Sequence, residues 1–254
     1  MQGSAHKLLQ RLYLVYAFLA FMVTFLFVLP GFALTIWVRP WQKYMAEVNR
    51  VWCLLFFPMV GMWPRVIGKI EASGPDGVIL CANHASYFDI PVLTCTMRRY
   101  HTFVGKSSLG QIPVFGFMYR NLHLLVDRKD SRDRRKILIR SARALKEGRS
   151  VVLFPEGKIN HKIAPMLGSF YDGAFHLAIK TKTPIVPVSI PHNHYILPDD
   201  GTFRARWRNP MVIFHPAIET KDMSEGDVQA LKKAVHDAIL QGVMAYGNTK
   251  QPLA

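Results

Sequence analysis

The chain has 254 residues, half of them apolar and 19% charged, and 32 lysines and arginines against 17 aspartates and glutamates give a net charge of +15. That length suits one catalytic domain with an appendage. The charge calls for a polyanionic partner, which is nucleic acid, an anionic membrane surface or a phosphate-bearing substrate. Cys53, Cys81 and Cys95 form neither a Cys-x-x-Cys metal knuckle nor a disulfide framework, so three buried free thiols in a reducing compartment are expected.

Residues 12–38 carry no charged side chain and are bracketed by Arg11 and Arg39. The stretch exceeds the roughly 20 apolar residues a bilayer span requires. Pro30-Gly31 predicts a bend or break inside it. A second uncharged stretch, 51–64, lies between Arg50 and Arg65 and is too short for a comfortable span. A cleaved signal peptide does not fit, because the block is too long and no small-residue cleavage site follows. The expected arrangement is a helical hairpin entering one leaflet, with a single full span as the alternative. Trp37, Trp41, Tyr44, Trp52 and Trp63 would lie at the interface, where amphipathic rings are favoured. Arg39, Lys43, Arg50 and Arg65 would face the anionic cytoplasmic leaflet of a bacterial inner membrane or its equivalent. Residues 1–65 thus form a membrane-associating segment, and 66–254 a catalytic domain.

Beyond Pro64 short apolar runs alternate with helical stretches. Gly74-Pro75-Asp76-Gly77 signals a turn into a strand at 78–81, and further strands are expected at 122–126, 151–154, 185–190 and 211–214. Residues 132–147 have helical spacing through Ile137, Leu138, Ala142 and Leu145, closed by Gly148. Helices are also expected at 173–182 and 227–246, with a frayed end at 247–254. The alternation predicts an α/β fold, with a central mixed, largely internal sheet flanked by helices.

The strand at 78–81 runs directly into Asn83-His84, and Asp89 follows with four residues between. A histidine at the carboxyl end of a buried strand stands where α/β sheets place their ligand crevice. An imidazole can take a proton from a hydroxyl near neutral pH, and a carboxylate on its other nitrogen fixes the tautomer. This is the His-Asp half of a triad, with the nucleophile left to the substrate. The spacing alone also fits a satisfied strand-end histidine, with Asp89 capping a helix that Pro91 helps to start, or with Ser86 and Asp89 forming a capping box.

A second motif, Phe154-Pro155-Glu156-Gly157, ends the strand at 151–154. Together, Asn83-His84-x-Ser86-x-x-Asp89 and this block resemble the glycerolipid acyltransferases, whose best-known members are the lysophosphatidic acid acyltransferases. Lys106 and Leu109, Gly116, and Leu124-Leu125-Val126-Asp127-Arg128 resemble the blocks between. Gly173-Ala174-Phe175 and Pro184-Ile185-Val186-Pro187-Val188 resemble those after. The resemblance implies transfer of an acyl group from acyl-CoA or acyl-carrier protein to a lysolipid hydroxyl. His84 would be the general base and Asp89 its orienter. Asn83 and Ser86 would support the loop, Glu156 would hold the acceptor's glycerol-like part, and the backbone near Gly157 would stabilise the oxyanion. Lys106, Arg128 and Lys158 are the candidate phosphate-binding cations, and neither cofactor nor metal is implied. His161 and His192-x-His194 lack a recognisable ligand spacing.

Two departures bear on the acceptor. Lys158-Ile159 stands where the family commonly has Thr-Arg, and Ser169-Phe170-Tyr171 where Pro-Phe-Lys is common, so two expected cations are missing. A phosphate-free lyso-aminoacyl lipid of the ornithine or glycine type is therefore an alternative acceptor. Other readings are a membrane-anchored lipid-binding protein, a hydrolase using the same base, and a nucleic-acid binder. The last rests on the net charge and Arg204-x-Arg206-Trp207-Arg208, without a recognisable nucleic-acid motif.

Overall fold

The computed structural model describes residues 2–71, 77–127, 129–160 and 166–247. The turn expected at Gly74-Pro75-Asp76 falls outside them, as do Arg128 and His161. Helix α1 (Gln2–Trp37) is a single helix of 36 residues. A six-residue 3-10 turn, Arg39–Tyr44, joins it to α2 (Met45–Met59). The two run antiparallel, held by Tyr13 Oη donating to Val60 O at 2.7 Å and Trp52 Nε1 donating to Thr24 Oγ1 at 3.1 Å. Helix α1 is long and apolar enough to cross a membrane.

Of the bend or break expected at Pro30, the break does not occur, and the helix runs on through it. A mid-helix proline costs about 3 kcal/mol. Val28 and Phe32, on either side of it, are buried, and burying each large apolar side chain returns roughly 1.5–3 kcal/mol. Gly31 contributes by close approach, since a Cβ there would stand 3.3 Å from a Val48 methyl of α2.

The remaining elements follow in the order β1 (Arg65–Ile67), β2 (Ile79–Ala82), α3 (Asp89–Thr96), β3 (His101–Lys106), α4 (Phe115–Leu122), β4 (Leu124–Val126), α5 (Ser131–Lys146), β5 (Ser150–Leu153), α6 (Gly173–Thr181), β6 (Ile185–Ser189), α7 (Asn193–Ile196), β7 (Met211–Phe214) and α8 (Val228–Tyr246). They build a seven-stranded sheet of order β1-β7-β6-β2-β5-β3-β4. Neighbours are parallel except β6 and β7, so β1 and β7 run against the others and the sheet is mixed. Strands β1 and β3 were not predicted. The first is a three-residue exposed edge, and the second begins with buried His101 and Thr102, which interrupt any apolar run.

Alternate residues of β2 face opposite cores, as strand geometry requires. Leu80 and Ala82 pack with the hairpin, α3 and α4, including Phe25, Phe32, Phe56, Phe57, Phe88 and Met118. Ile79 and Cys81 pack with α5, α6 and α8. The hairpin and the sheet therefore share one apolar core. The segment between β6 and β7 straps them together. Ala205 N donates to Gln10 O at 3.2 Å, Trp207 Nε1 to Gly61 O at 2.6 Å, and Trp63 N to Asn209 Oδ1 at 2.8 Å.

The cysteine expectation is corrected for two of the three. Packing of α2 against α3 brings Cys53 and Cys95 together, with Cα atoms 5.6 Å apart and the sulfurs bonded, a separation that suits a disulfide. Cys81 is a free thiol inside the sheet, pushed up to about 12 by burial.

Candidate active site

Strands β2, β5 and β6 lie side by side and in parallel, so their carboxyl ends converge on one edge of the sheet. The chain leaving β2 there is the Asn83–Asp89 loop, and the chain leaving β5 is Phe154-Pro155-Glu156-Gly157. Asn83 fastens the first loop to the end of β6. Its Nδ2 donates to Ile190 O at 3.1 Å, and its Oδ1 accepts from Ile190 N at 2.7 Å. Ser86 Oγ donates to Leu197 O at 2.6 Å and accepts from Phe88 N at 3.0 Å. Both side chains are bonded to backbone at the ends of the loop.

Asp89 begins α3 and is wholly buried. Its Oδ2 lies 2.8 Å from His84 Nδ1 and accepts from Ala85 N at 2.9 Å and Ser86 N at 3.0 Å. Its Oδ1 accepts from Asn193 Nδ2 at 3.0 Å. These donors compensate the carboxylate for its lost hydration, as a buried charge requires. An ionised carboxylate only accepts, so the neutral form of His84 in this geometry carries its proton on Nδ1 and a lone pair on Nε2. The imidazole stacks on Phe154, ring centroids 4.0 Å apart, and is 8% exposed. Nε2 makes no hydrogen bond among the described residues. The alternative capping role of Asp89 gives way to this one, since its acceptors serve the loop and the imidazole.

Glu156 ties the two loops together. It is buried, and its Oε1 accepts from His84 N at 2.9 Å, while Oε2 accepts from Asn160 Nδ2 at 2.5 Å and Gly168 N at 2.8 Å. Its carboxylate braces the backbone of His84 from the end of β5. Gly157 closes a turn, its N–H donating to Phe154 O at 3.0 Å. Its φ of +70° and the Tyr171 ring, 2.7 Å from where a Cβ would lie, explain the glycine.

Lys106 and Lys158 are exposed, the first ending β3 and the second just past Gly157. Arg128 lies outside the described residues. Tyr171, where a cation was expected, is bonded through its N–H to Pro155 O at 2.9 Å and is 71% exposed over Gly157. Asn193, Asn160 and Gly168 were missed by sequence reasoning. Asn193 sits within His192-x-His194, where attention went to the histidines. His192 instead faces backbone, its Nε2 2.9 Å from Tyr246 O and its Nδ1 3.3 Å from Asn209 O. His194 is held below the usual range, chiefly by burial, with the charge of Asp89 opposing.

An imidazole braced in this way can take a proton from a hydroxyl that reaches Nε2. Ser86, the one hydroxyl between His84 and Asp89 apart from the exposed Tyr87 phenol, is turned to the carbonyl of Leu197. A hydroxyl brought by a second molecule would be the group to meet Nε2, an arrangement that suits direct group transfer. Residues 65–191 match the model of the acyltransferase family, and the chain belongs to that family. It is 28% identical to a 1-acyl-sn-glycerol-3-phosphate acyltransferase of Chlamydomonas reinhardtii over 88% of this chain and 69% of that one. It is 31% identical to the Haemophilus influenzae protein of the same name, over 73% and 76%. Its fold matches the crystal structure of PlsC, the 1-acyl-sn-glycerophosphate acyltransferase of Thermotoga maritima, with a TM-score of 0.80 at 22% identity, covering 97% of this chain and 99% of that one.

Proposed function

We propose that this acyltransferase moves a fatty acyl group from acyl-CoA or acyl-carrier protein to the free hydroxyl of 1-acylglycerol-3-phosphate, giving phosphatidic acid at a membrane surface. The observation that carries the reading is the Asp89-braced His84, whose Nε2 makes no hydrogen bond among the described residues. His84 Nε2 takes the hydroxyl proton as the oxygen attacks the thioester carbonyl. The tetrahedral intermediate collapses by breaking the carbon–sulfur bond, and the departing thiolate takes the proton from the imidazolium. Atoms and charge balance without a covalent enzyme intermediate. The names of the Chlamydomonas and Haemophilus relatives support the phosphate acceptor, and exposed Lys106 and Lys158 are the cations to meet it.

The membrane surface is supported by α1, whose outward side chains include Leu8, Leu12, Phe18, Phe27 and Trp37, all exposed. The hairpin would lie in one leaflet with Lys43 and Arg50 toward anionic headgroups. A lyso-aminoacyl lipid is the second reading, favoured by the Tyr171 ring standing in the place of a cation. Purified protein assayed with both acyl donors against lysophosphatidic acid, other lysophospholipids and lyso-aminolipids decides between them. Acylation of lysophosphatidic acid is expected; turnover of phosphate-free acceptors alone would replace the first reading with the second. His84→Ala should abolish transfer and leave vesicle binding intact. Wild-type turnover in that variant would remove the proposed base.

A further inference from the structure

A cavity of about 290 Å³ opens beside Tyr87 and Phe88, inside the His84–Asp89 loop, and runs between the hairpin and helices α3 and α4. Its walls are mostly aromatic and aliphatic, Phe21, Phe25, Trp52, Phe115 and Met118 among them. On the proposed acyl-transfer reading, this is where a lipid chain lies.

Two of its residues are wrong for a plain hydrocarbon. Asn49 of α2 and Thr94 of α3 both line the cavity and are only 5% and 8% exposed. Among the described residues, neither the Asn49 carboxamide nor the Thr94 hydroxyl makes a hydrogen bond. Their neighbours show what satisfaction looks like: Trp52 Nε1 donates to Thr24 Oγ1, which donates to Ala20 O at 2.7 Å. A buried amide facing saturated hydrocarbon loses its hydration and receives nothing in return. An oxygen on the bound chain would supply both an acceptor for the Asn49 NH2 and a donor for its carbonyl.

We propose that the lipid chain held here carries an oxygen function, a hydroxyl, that bonds to Asn49 and Thr94, making them specificity determinants for hydroxylated acyl chains. The proposal rests on the acyl-transfer reading above. The chain can arrive on either substrate, as the acyl group of the thioester or as the tail of the lysolipid.

The test is a pair of competition assays with the full-length protein. One arm offers hydroxyacyl and plain acyl thioesters of equal length with a plain lysolipid; the other offers hydroxylated and plain lysolipids with a plain thioester. One neutral hydrogen bond gives a preference of about tenfold in kcat/KM, corresponding to roughly 1.4 kcal/mol. That preference is expected in one arm, and the arm identifies the source. Asn49→Leu should bring the ratio near unity, and Thr94→Val should reduce it, whichever of the two variants folds better by thermal melting. No preference in either arm, or a preference intact in both variants, overturns the proposal while acyl transfer stands. Absence of transfer from every donor to every acceptor overturns the acyl-transfer reading itself, and this inference with it.

Discussion

Asn193 reaches Asp89 from a four-residue helix, and nothing in its own neighbourhood announces it. His84 and Asp89 are legible because they are five positions apart and end a recognisable strand. Asn193 and Asn160 are ordinary polar residues, brought in by the crossing of β5 and β6 beside β2, and only the fold shows their use. A hydrogen bond to a charged group contributes about 1.5–3 kcal/mol. Asn193→Ala should therefore lower kcat roughly 10- to 100-fold, with KM little changed. Undiminished turnover would remove Asn193 from the dyad's support. A second residue-level prediction concerns pH. Burial, aided by the charge of Arg149, lowers His101 from the usual value to about 4, although its bond to Arg99 O opposes the shift. The unfolded chain then binds the extra proton first. The stability contributed by neutral His101 is complete above about pH 6.5 and is lost as the pH falls toward 4, by about 3 kcal/mol. His101→Phe should flatten this acid limb in melting temperatures measured between pH 7 and 4.5. An unchanged slope would show that other groups govern it.

At the scale of elements, α3 has a double attachment. Its first residue is the Asp89 that orients His84, and near its end Cys95 is bonded to Cys53 of the hairpin. No sequence pattern linked these cysteines, because the pairing follows from how two helices 42 positions apart pack. The same reason hid the course of α1 through Pro30, where burial outweighs local preference. The parallel strands, by contrast, were legible as apolar runs, being buried on both faces. Labelling in denaturant should find one reactive thiol without reductant and three with it. Three from the start would refute the bridge. Cys95→Ser should lose roughly 2–4 kcal/mol of stability, read from denaturant midpoints.

At the scale of the molecule, the apolar N-terminus was legible as a long hydrophobic block, but its sharing of a core with the sheet was not. Phe25, Phe32, Phe56 and Phe57 pack with Leu80, Phe88 and Val188. Removal of residues 1–65 should yield aggregated, inactive protein instead of a soluble catalytic domain, as judged by size-exclusion chromatography and acyl transfer. A monomeric, active fragment would contradict the shared core. The strap between β6 and β7 carries this further. At one end it presents Asn193 to Asp89 and the Leu197 carbonyl to Ser86, and at the other it grips Gln10, Gly61 and Trp63. One stretch of chain thus joins the foot of the hairpin to the carboxylate behind His84. A foreign hairpin grafted in place of this one would alter turnover.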